Sequence, residues 1–219
     1  MRVRFSRFCE SLPMICLLAA FVLWTVAVCV VDVQPIGPND SAVGFAAVNG
    51  AFHRLTGVHM ALYDITDWLS VIPLGCVAGF ALLGLAQWIR RKDLRKVDGD
   101  ILVLGGFYVV VLVVFFLFEK LAINYRPVLI EGVLEASYPS STTMLVLCVM
   151  PSVMLQLRSR MKSGALKRCV QAVLFAFTAF MVVGRLISGV HWLGDIIGGI
   201  LLSAGLVLLY HAASSMAEQ

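Results

Sequence analysis

The stretch Ile101–Phe118, with the sequence ILVLGGFYVVVLVVFFLF, contains 18 residues and no charge. The hydrocarbon core of a bilayer is about 30 Å thick, and an uncharged apolar stretch of about 18 residues or more is typical of a helix that crosses it. This stretch therefore predicts a transmembrane helix and decides the class of the whole protein.

Five further uncharged stretches lie on either side of it. They are Ser11–Val31, Trp68–Ile89, Ala136–Leu157, Cys169–Gly184 and Ile196–Tyr210. The last two reach spanning length when their polar flanks are included. The composition agrees, because 60% of the 219 residues are hydrophobic and only 14% are charged, against about 25% charged in soluble domains. We predict an all-α integral membrane protein, a single domain over residues 1–219 built as a bundle of six transmembrane helices.

The basic residues predict how this bundle is oriented. In chain order, 13 of the 17 Lys and Arg residues lie before the first stretch, after the second, or between the fourth and the fifth. A six-helix topology places these three segments on one side, and the positive-inside rule makes that side cytoplasmic. The sequence thus predicts a multi-pass protein of the plasma membrane with both termini in the cytoplasm. Because topology accounts for the net charge of +4, no nucleic-acid partner is expected.

Residues 32–67 are predicted to form a long loop on the opposite, extracytoplasmic face. A cluster of turn residues over positions 35–39 is followed by an apolar pattern over positions 42–60. That pattern is typical of a short helix lying in the membrane interface. Such a helix would either cover a site on this face or rest on the lipid.

Three polar segments are brought to this same face by the topology. They are Lys120–Pro127, Tyr138–Thr143 and Gly184–Asp195. The outer face has only four basic residues, and three of them, Lys120, Arg126 and Arg185, belong to these segments. We therefore expect a functional site where the three segments meet.

The residue types in these segments suit a phosphate group. A guanidinium matches phosphate oxygens with two hydrogen bonds, so Arg126 and Arg185 are candidate phosphate ligands, and Lys120 would add a point charge. Ser140 and Ser141 begin a predicted helix, where free backbone N–H groups and the helix dipole favour an anion. The simpler interpretations are that Lys120 extends to the membrane surface and that the serines only cap the helix.

A histidine and an aspartate in the third segment suit nucleophilic chemistry. His191 and Asp195 are four positions apart and share one face if the segment is helical. A carboxylate on one ring nitrogen fixes the tautomer and leaves the other nitrogen nucleophilic. Together with the phosphate ligands, this pair predicts phosphoryl transfer through a phosphohistidine, for which neither a metal ion nor another cofactor is needed.

The three segments resemble the sequence blocks of the type 2 phosphatidic acid phosphatase (PAP2) superfamily, which includes membrane lipid phosphatases. The family pattern is K-x6-R-P, then P-S-G-H, then S-R-x5-H-x3-D. The matching positions of this chain are Arg126-Pro127, Pro139-Ser140, Arg185, His191 and Asp195. The resemblance is strongest over residues 119–199.

This resemblance implies a membrane phosphatase whose substrate is a lipid phosphate, with the site on the extracytoplasmic side. It implies that His191 is the nucleophile and that Asp195 is its orienting carboxylate. Arg126 and Arg185 would clamp the phosphate, and Ser140 would add a hydrogen bond to it.

Two departures from the family pattern affect the chemistry. Lys120 stands one position later than the family lysine, which rotates it by about 100° on a helix. Thr142 stands where the family has the histidine that protonates the leaving group. Two milder departures are Ser141 in place of a glycine and Gly184 in place of a serine.

The missing histidine predicts a narrower substrate range. A lipid alkoxide leaving from a monoester needs a proton, whereas a phosphate leaving from a diphosphate does not, because its second pKa is about 6. We therefore predict a preference for lipid diphosphates such as polyprenyl diphosphate. Two alternatives stay open: His53, His59 or Glu119 supplies the acid from the same face, or the protein is a non-catalytic relative that binds lipid phosphate headgroups. A transporter is disfavoured because the sequence has no inverted repeat.

Overall fold

The computed structural model describes residues 2–217, with side chains from residue 12 onward. This part of the chain forms eight α-helices and no β-strand. The helices are α1 (Arg2–Val30), α2 (Ala46–Thr56), α3 (Met60–Leu69), α4 (Val71–Arg91), α5 (Gly99–Leu121), α6 (Ser141–Arg160), α7 (Ala165–Ile187) and α8 (Leu193–Ala217). The predicted all-α fold is confirmed.

Six helical stretches in the described part of the chain are long and apolar enough to cross a membrane. Each of them overlaps one of the six uncharged stretches of the sequence. Helices α3 and α4 together make one of the six, Met60–Arg91, with an interruption at Ser70. The predicted bundle of six transmembrane helices is confirmed, and the protein is a multi-pass membrane protein.

The predicted loop over residues 32–67 is too long, because helix α3 begins inside it at Met60. The uncharged stretch stops at Asp67, but a charge marks only the end of the apolar sequence and does not end a helix. Asp64 and Asp67 are both exposed, so the helix continues through them without burying an unpaired charge. The short helix predicted within positions 42–60 is present as α2.

Helix α8 is the centre of the bundle, and it contacts α1, α2, α5, α6 and α7. Small residues on α8 allow this close packing. A Cβ at Gly205 would lie 2.6 Å from the Leu18 side chain of α1. A Cβ at Gly198 would lie 2.6 Å from the ring of Tyr138, which is buried and shares a 2.6 Å hydrogen bond with Thr25 of α1. The segment before α6 is therefore fixed against α1 and α8.

The three predicted polar segments meet at one end of the bundle. The N–H of Ser140, before α6, donates to the carbonyl of Asp195 in α8 at 3.2 Å. The indole of Trp192 donates to the carbonyl of Tyr125, beyond α5, at 2.7 Å. At the opposite end of α6, Arg160 forms a 2.7 Å ion pair with the first turn of α5. The bundle thus has one end that gathers the predicted site residues.

Candidate active site

The segment between α5 and α6 folds back on itself and positions Arg126. Helix α5 ends at Leu121, and the C-cap residue Ala122 has a φ of 44°. Beyond it, the N–H of Arg126 donates to the carbonyl of Glu135 at 3.0 Å, and the N–H of Ser137 donates to the carbonyl of Asn124 at 2.8 Å. These antiparallel bonds return the chain to the start of α6, with Arg126 held beside it.

Ser140 is the N-cap of α6. Its Oγ accepts from the N–H of Thr143 at 3.5 Å, a long hydrogen bond, and the residue is fully buried. The neighbouring Ser141 is partly exposed in the first turn. The predicted helix start is confirmed, and the roles of both serines toward a phosphate stay predictions.

His191 lies in the short connection between α7 and α8 and is 2% exposed. Gly189 makes the turn before it, with a φ of 72°, and a Cβ at this position would lie 2.0 Å from the carbonyl oxygen of Gly57. The carbonyl of Ser188 accepts from the N–H of His59 at 2.9 Å. The connection that carries His191 is therefore held by the turn between α2 and α3, which lies far away in sequence.

Asp195 lies fully buried in the first turn of α8, and both of its oxygens are engaged. Oδ2 accepts from the N–H of Trp192 at 3.0 Å, and Oδ1 accepts from the amide of Asn124 at 3.1 Å. Nδ1 of His191 lies 3.7 Å from Oδ2, longer than a hydrogen bond. The structure brings the predicted pair His191 and Asp195 together. Asn124 also belongs to this site, although no sequence motif indicated it.

The imidazole of His191 is neutral at pH 7. Burial lowers its pKa from the usual 6.5 to about 4; Arg126 and Arg185 also lower it, and Asp195 acts in the opposite direction. Neither ring nitrogen has a hydrogen-bond partner among the residues that the structure describes, and Nδ1 is the one that faces Asp195. A neutral imidazole whose Nδ1 carries the proton leaves Nε2 as the nucleophilic nitrogen.

Arg185 is 1% exposed at the end of α7. Its Nη2 donates to Oγ1 of Thr142 and to Oδ1 of Asp67, both at 2.6 Å. Its Nε and Nη1 are buried and have no partner within the described chain. Thr142 thus holds the arginine through its hydroxyl, and the site includes an α3 carboxylate that the sequence did not indicate.

Arg126 is 8% exposed and shares an aromatic neighbour with Arg185. The ring centroid of Tyr63, on α3, lies 5.8 Å from Cζ of Arg126 and 4.7 Å from Cζ of Arg185. Nε of Arg126 lies 3.0 Å from a carboxylate oxygen of Glu135. Two buried cations near each other repel, and the aromatic face and the carboxylates offset that repulsion.

The remaining residues with predicted roles lie outside this cluster. Lys120 is exposed in the last turn of α5, and no hydrogen bond among the described residues ties it or Ser141 to the cluster. Of the candidate acids, His53 contacts the carbonyl of Gly189 at 3.1 Å through Nε2. His59 and Glu119 are exposed.

An apolar cavity of about 460 Å³ adjoins the cluster. It lies between α4, α5 and α6, and its apolar lining includes Leu74, Leu112, Phe115, Leu145 and Val149. Ser141 and Thr142 contribute polar groups to the same cavity. Because Thr142 also binds Arg185, the cavity lies next to the cationic cluster.

The family model described as PAP2 superfamily matches the chain from residue 118 to residue 218. The matched residues, here called the PAP2 segment, make up a little less than half of the chain. The segment contains the two arginines, Ser140 and the histidine–aspartate pair, so the resemblance to the PAP2 superfamily predicted from the sequence blocks is confirmed over these residues. Tyr63 and Asp67, which contact Arg185, lie outside the PAP2 segment.

The fold is also similar to a solved structure, described as the first transmembrane PAP2 type phosphatidylglycerolphosphate phosphatase from Bacillus subtilis. The TM-score is 0.63 at 17% sequence identity, and the alignment covers 90% of this chain and 94% of that chain. No curated protein matches the chain. The similarity in fold therefore extends to helices that precede the PAP2 segment.

Proposed function

We propose that the protein is an integral membrane phosphatase that hydrolyses a lipid phosphate or diphosphate through a phosphohistidine at His191. The observation that carries the proposal is a group of buried nitrogens without partners in the described structure. They are Nη1 of Arg126, Nε and Nη1 of Arg185, and Nε2 of His191. A buried donor left unpaired costs about 1–3 kcal/mol. A phosphoryl group would accept from both guanidiniums and present its phosphorus to Nε2.

In the proposed reaction, Nε2 of His191 forms a bond to phosphorus while the bond to the leaving oxygen breaks with its electron pair. Asp195 lies on the Nδ1 side, where it favours the proton and the positive charge that develops on the ring. Arg126 and Arg185 stabilise the negative charge on the phosphoryl oxygens. Water then hydrolyses the P–N bond and inorganic phosphate is released.

The PAP2 segment and the fold similarity to a membrane lipid phosphatase support a phosphatase role. The basic segments support an orientation with both termini in the cytoplasm and the site on the extracytoplasmic side of the plasma membrane. A lipid substrate presented from that leaflet would reach the cluster at the end of the bundle.

The direct test is capture of the covalent intermediate. The purified protein is mixed with a polyprenyl diphosphate radiolabelled at its terminal phosphate, quenched in alkali and digested, and the label is located by peptide mapping. We expect the label on His191.

The second candidate function, binding of lipid phosphate headgroups without catalysis, is favoured by Thr142 in place of the family histidine. It predicts that the protein binds the lipid and stays unlabelled.

The apolar cavity beside Thr142 supports a lipid tail in the substrate. A chain lying between α5 and α6 would contact Leu112 and Leu145, while its phosphate would meet Arg185. Each buried methylene contributes about 0.8 kcal/mol. A long-chain substrate would therefore gain binding energy that a soluble phosphate ester lacks.

Replacing Leu112 by tryptophan is expected to raise the KM for a long-chain lipid phosphate about tenfold, because the indole would occupy space that one or two methylenes need. Leu112 is 53% exposed, so the larger ring does not overfill the core. Turnover of a soluble short-chain phosphate ester is expected to stay within about twofold. The matched control is Leu117→Trp, which lies on the same helix, is 52% exposed and does not line the cavity. Equal effects of the two variants would argue against this cavity as the tail site.

The threonine at position 142 supports the preference for diphosphates. In a polyprenyl diphosphate the leaving group is a lipid monophosphate, which departs without a proton at neutral pH. The Thr142 hydroxyl, already bonded to Arg185, lacks the acidity to protonate an alkoxide. The site can therefore transfer the phosphoryl group of a diphosphate to His191 without a general acid, which a monophosphate ester would need.

Installing the family histidine is expected to change that preference. Thr142→His should raise kcat/KM for a lipid monophosphate by about 10²-fold and leave the diphosphate value within about threefold, since only the monoester needs the acid. Both substrates are compared by phosphate release, with Thr142→Asn as a polar control that does not titrate. Equal turnover of the two substrates by the native protein would contradict the preference.

A further inference from the structure

A carboxylate from outside the PAP2 segment binds the same arginine nitrogen as Thr142, the residue that replaces the family histidine. Oδ1 of Asp67 and Oγ1 of Thr142 each lie 2.6 Å from Nη2 of Arg185, so the two oxygens are at most about 5.2 Å apart. Asp67 therefore lies next to the position from which the family histidine would act.

The placement of Asp67 is fixed by two contacts of residues that precede it along the chain. The N–H of His59, just before α3, donates to the carbonyl of Ser188 beside the His191 turn. One helical turn before Asp67, the ring of Tyr63 packs against Arg185. Asp67 thus belongs to a helix that is fastened to the site, and yet its side chain is 56% exposed, just before the uncharged stretch that begins at Trp68.

We infer that Asp67 is the general base that activates water to hydrolyse the phosphohistidine, an inference that rests on the proposed function. The first step with a diphosphate needs no acid, but the second step still requires a group that accepts a proton from water. The Thr142 hydroxyl cannot accept that proton at neutral pH, whereas a carboxylate can. Asp67 meets both requirements: it contacts the phosphate-binding arginine and its side chain is exposed.

The proton and electron balance of this step is complete. The water oxygen forms a bond to phosphorus, and its proton passes to the carboxylate of Asp67. The P–N bond breaks, and its electron pair returns to Nε2 of His191, which restores the neutral imidazole. Inorganic phosphate leaves, and Asp67 releases its proton to solvent through its exposed side.

Other groups at this end of the bundle fit the role less well. Glu135 pairs with Arg126 rather than with the arginine that contacts Thr142. His53 places Nε2 against the backbone carbonyl of Gly189, where it supports the His191 turn. Asp67 is the carboxylate that shares a ligand atom with Thr142.

The two steps can be separated with Asp67→Asn, whose amide oxygen can still accept from Arg185 and preserve the assembled site. In rapid-quench experiments with a terminally radiolabelled polyprenyl diphosphate, the variant should release a burst of about one lipid monophosphate per protein. Label should then accumulate on His191, and steady-state phosphate release should fall about 10²- to 10⁴-fold. Asp67→Ser carries the same expectation if the asparagine variant is not obtained folded.

The matched control is Asp64→Asn, an exposed carboxylate on the same helix with no ion pair among the described residues. Asp64→Asn should release phosphate at the native rate and should not accumulate label on His191. A normal turnover rate for Asp67→Asn, or a slow first step without a burst, would overturn the role of Asp67. In either case, labelled His191 in the native protein would still support the proposed function. Absence of both label and turnover in the native protein would instead refute the proposed function itself.

Discussion

Replacement of His191 by alanine is expected to abolish phosphate release, with a loss of at least about 10⁴-fold in kcat, because it removes the proposed nucleophile, whose ring nitrogens have no partner among the described residues. His191→Gln should be equally inactive, although its volume fills the buried position better. Turnover is measured by phosphate release from a lipid diphosphate, and folding is followed by thermal unfolding in detergent.

The control for this experiment is another histidine of the chain. His211 is exposed near the far end of α8, and His211→Ala should retain native turnover. Vanadate mimics the five-coordinate phosphorus of in-line transfer, so it should inhibit both the native protein and His211→Ala. Turnover above about 1% in a folded His191→Ala protein would rule out the phosphohistidine.

Replacement of Asp195 by asparagine is expected to lower kcat about 10²- to 10⁴-fold, a range that extends to the value known for the orienting aspartate of a serine protease triad. Both oxygens of Asp195 accept hydrogen bonds, from the N–H of Trp192 and the amide of Asn124. An asparagine would turn an NH₂ toward one of these donors, and His191 would lose the carboxylate that favours its Nδ1 proton.

The effect of Asp195→Asn should lie in kcat more than in KM, since Asp195 touches the nucleophile and not the phosphate. The matched control is Glu131→Gln, an exposed carboxylate in the segment between α5 and α6, which should leave both constants unchanged. A folded Asp195→Asn protein with native kcat would show that His191 does not depend on this carboxylate.

The six spans could be predicted because a bilayer allows few solutions. The bilayer core contains no water, so a segment that crosses it must form its backbone hydrogen bonds within the protein. A long uncharged stretch therefore predicts a helix, because few other structures meet this requirement. The same topology brought Arg126, Arg185 and His191 to one end of the bundle without any distance information. Their convergence follows from the number of crossings, and the structure confirms it.

The α3 contribution to the site could not be predicted from the same argument. In the sequence, Asp67 is the charge at the edge of an apolar stretch, and this pattern predicts a loop for Tyr63 and Asp67. Their spacing of four would place them on one helix face, which is the signal that could have revealed them. Asn124 offered no signal, because a single asparagine gains its meaning only when Asp195 is seen beside it.

The substitution at position 142 shows that a sequence motif does not reveal which side chains from other helices contact a given position. The sequence identified the missing histidine, but it gave no means to see that the Thr142 hydroxyl would bind Arg185. It also gave no means to see that a carboxylate from α3 would meet the same guanidinium. Such a replacement across helices is visible only when the side chains are placed in three dimensions.

The tight contact between Gly189 and Gly57 limits how this protein can be recombined with its relatives. In a chimera that joins residues 118–218 to the membrane helices of another protein, the turn at Gly189 that precedes His191 would pack against a foreign surface. That surface would lack the close contact that Gly57 makes here. A Cβ on Gly189 would lie 2.0 Å from the carbonyl oxygen of Gly57, so the turn needs a backbone that it can approach this closely. Exchanges between family members should therefore move residues 44–70 together with the carboxy-terminal half, as one inherited unit.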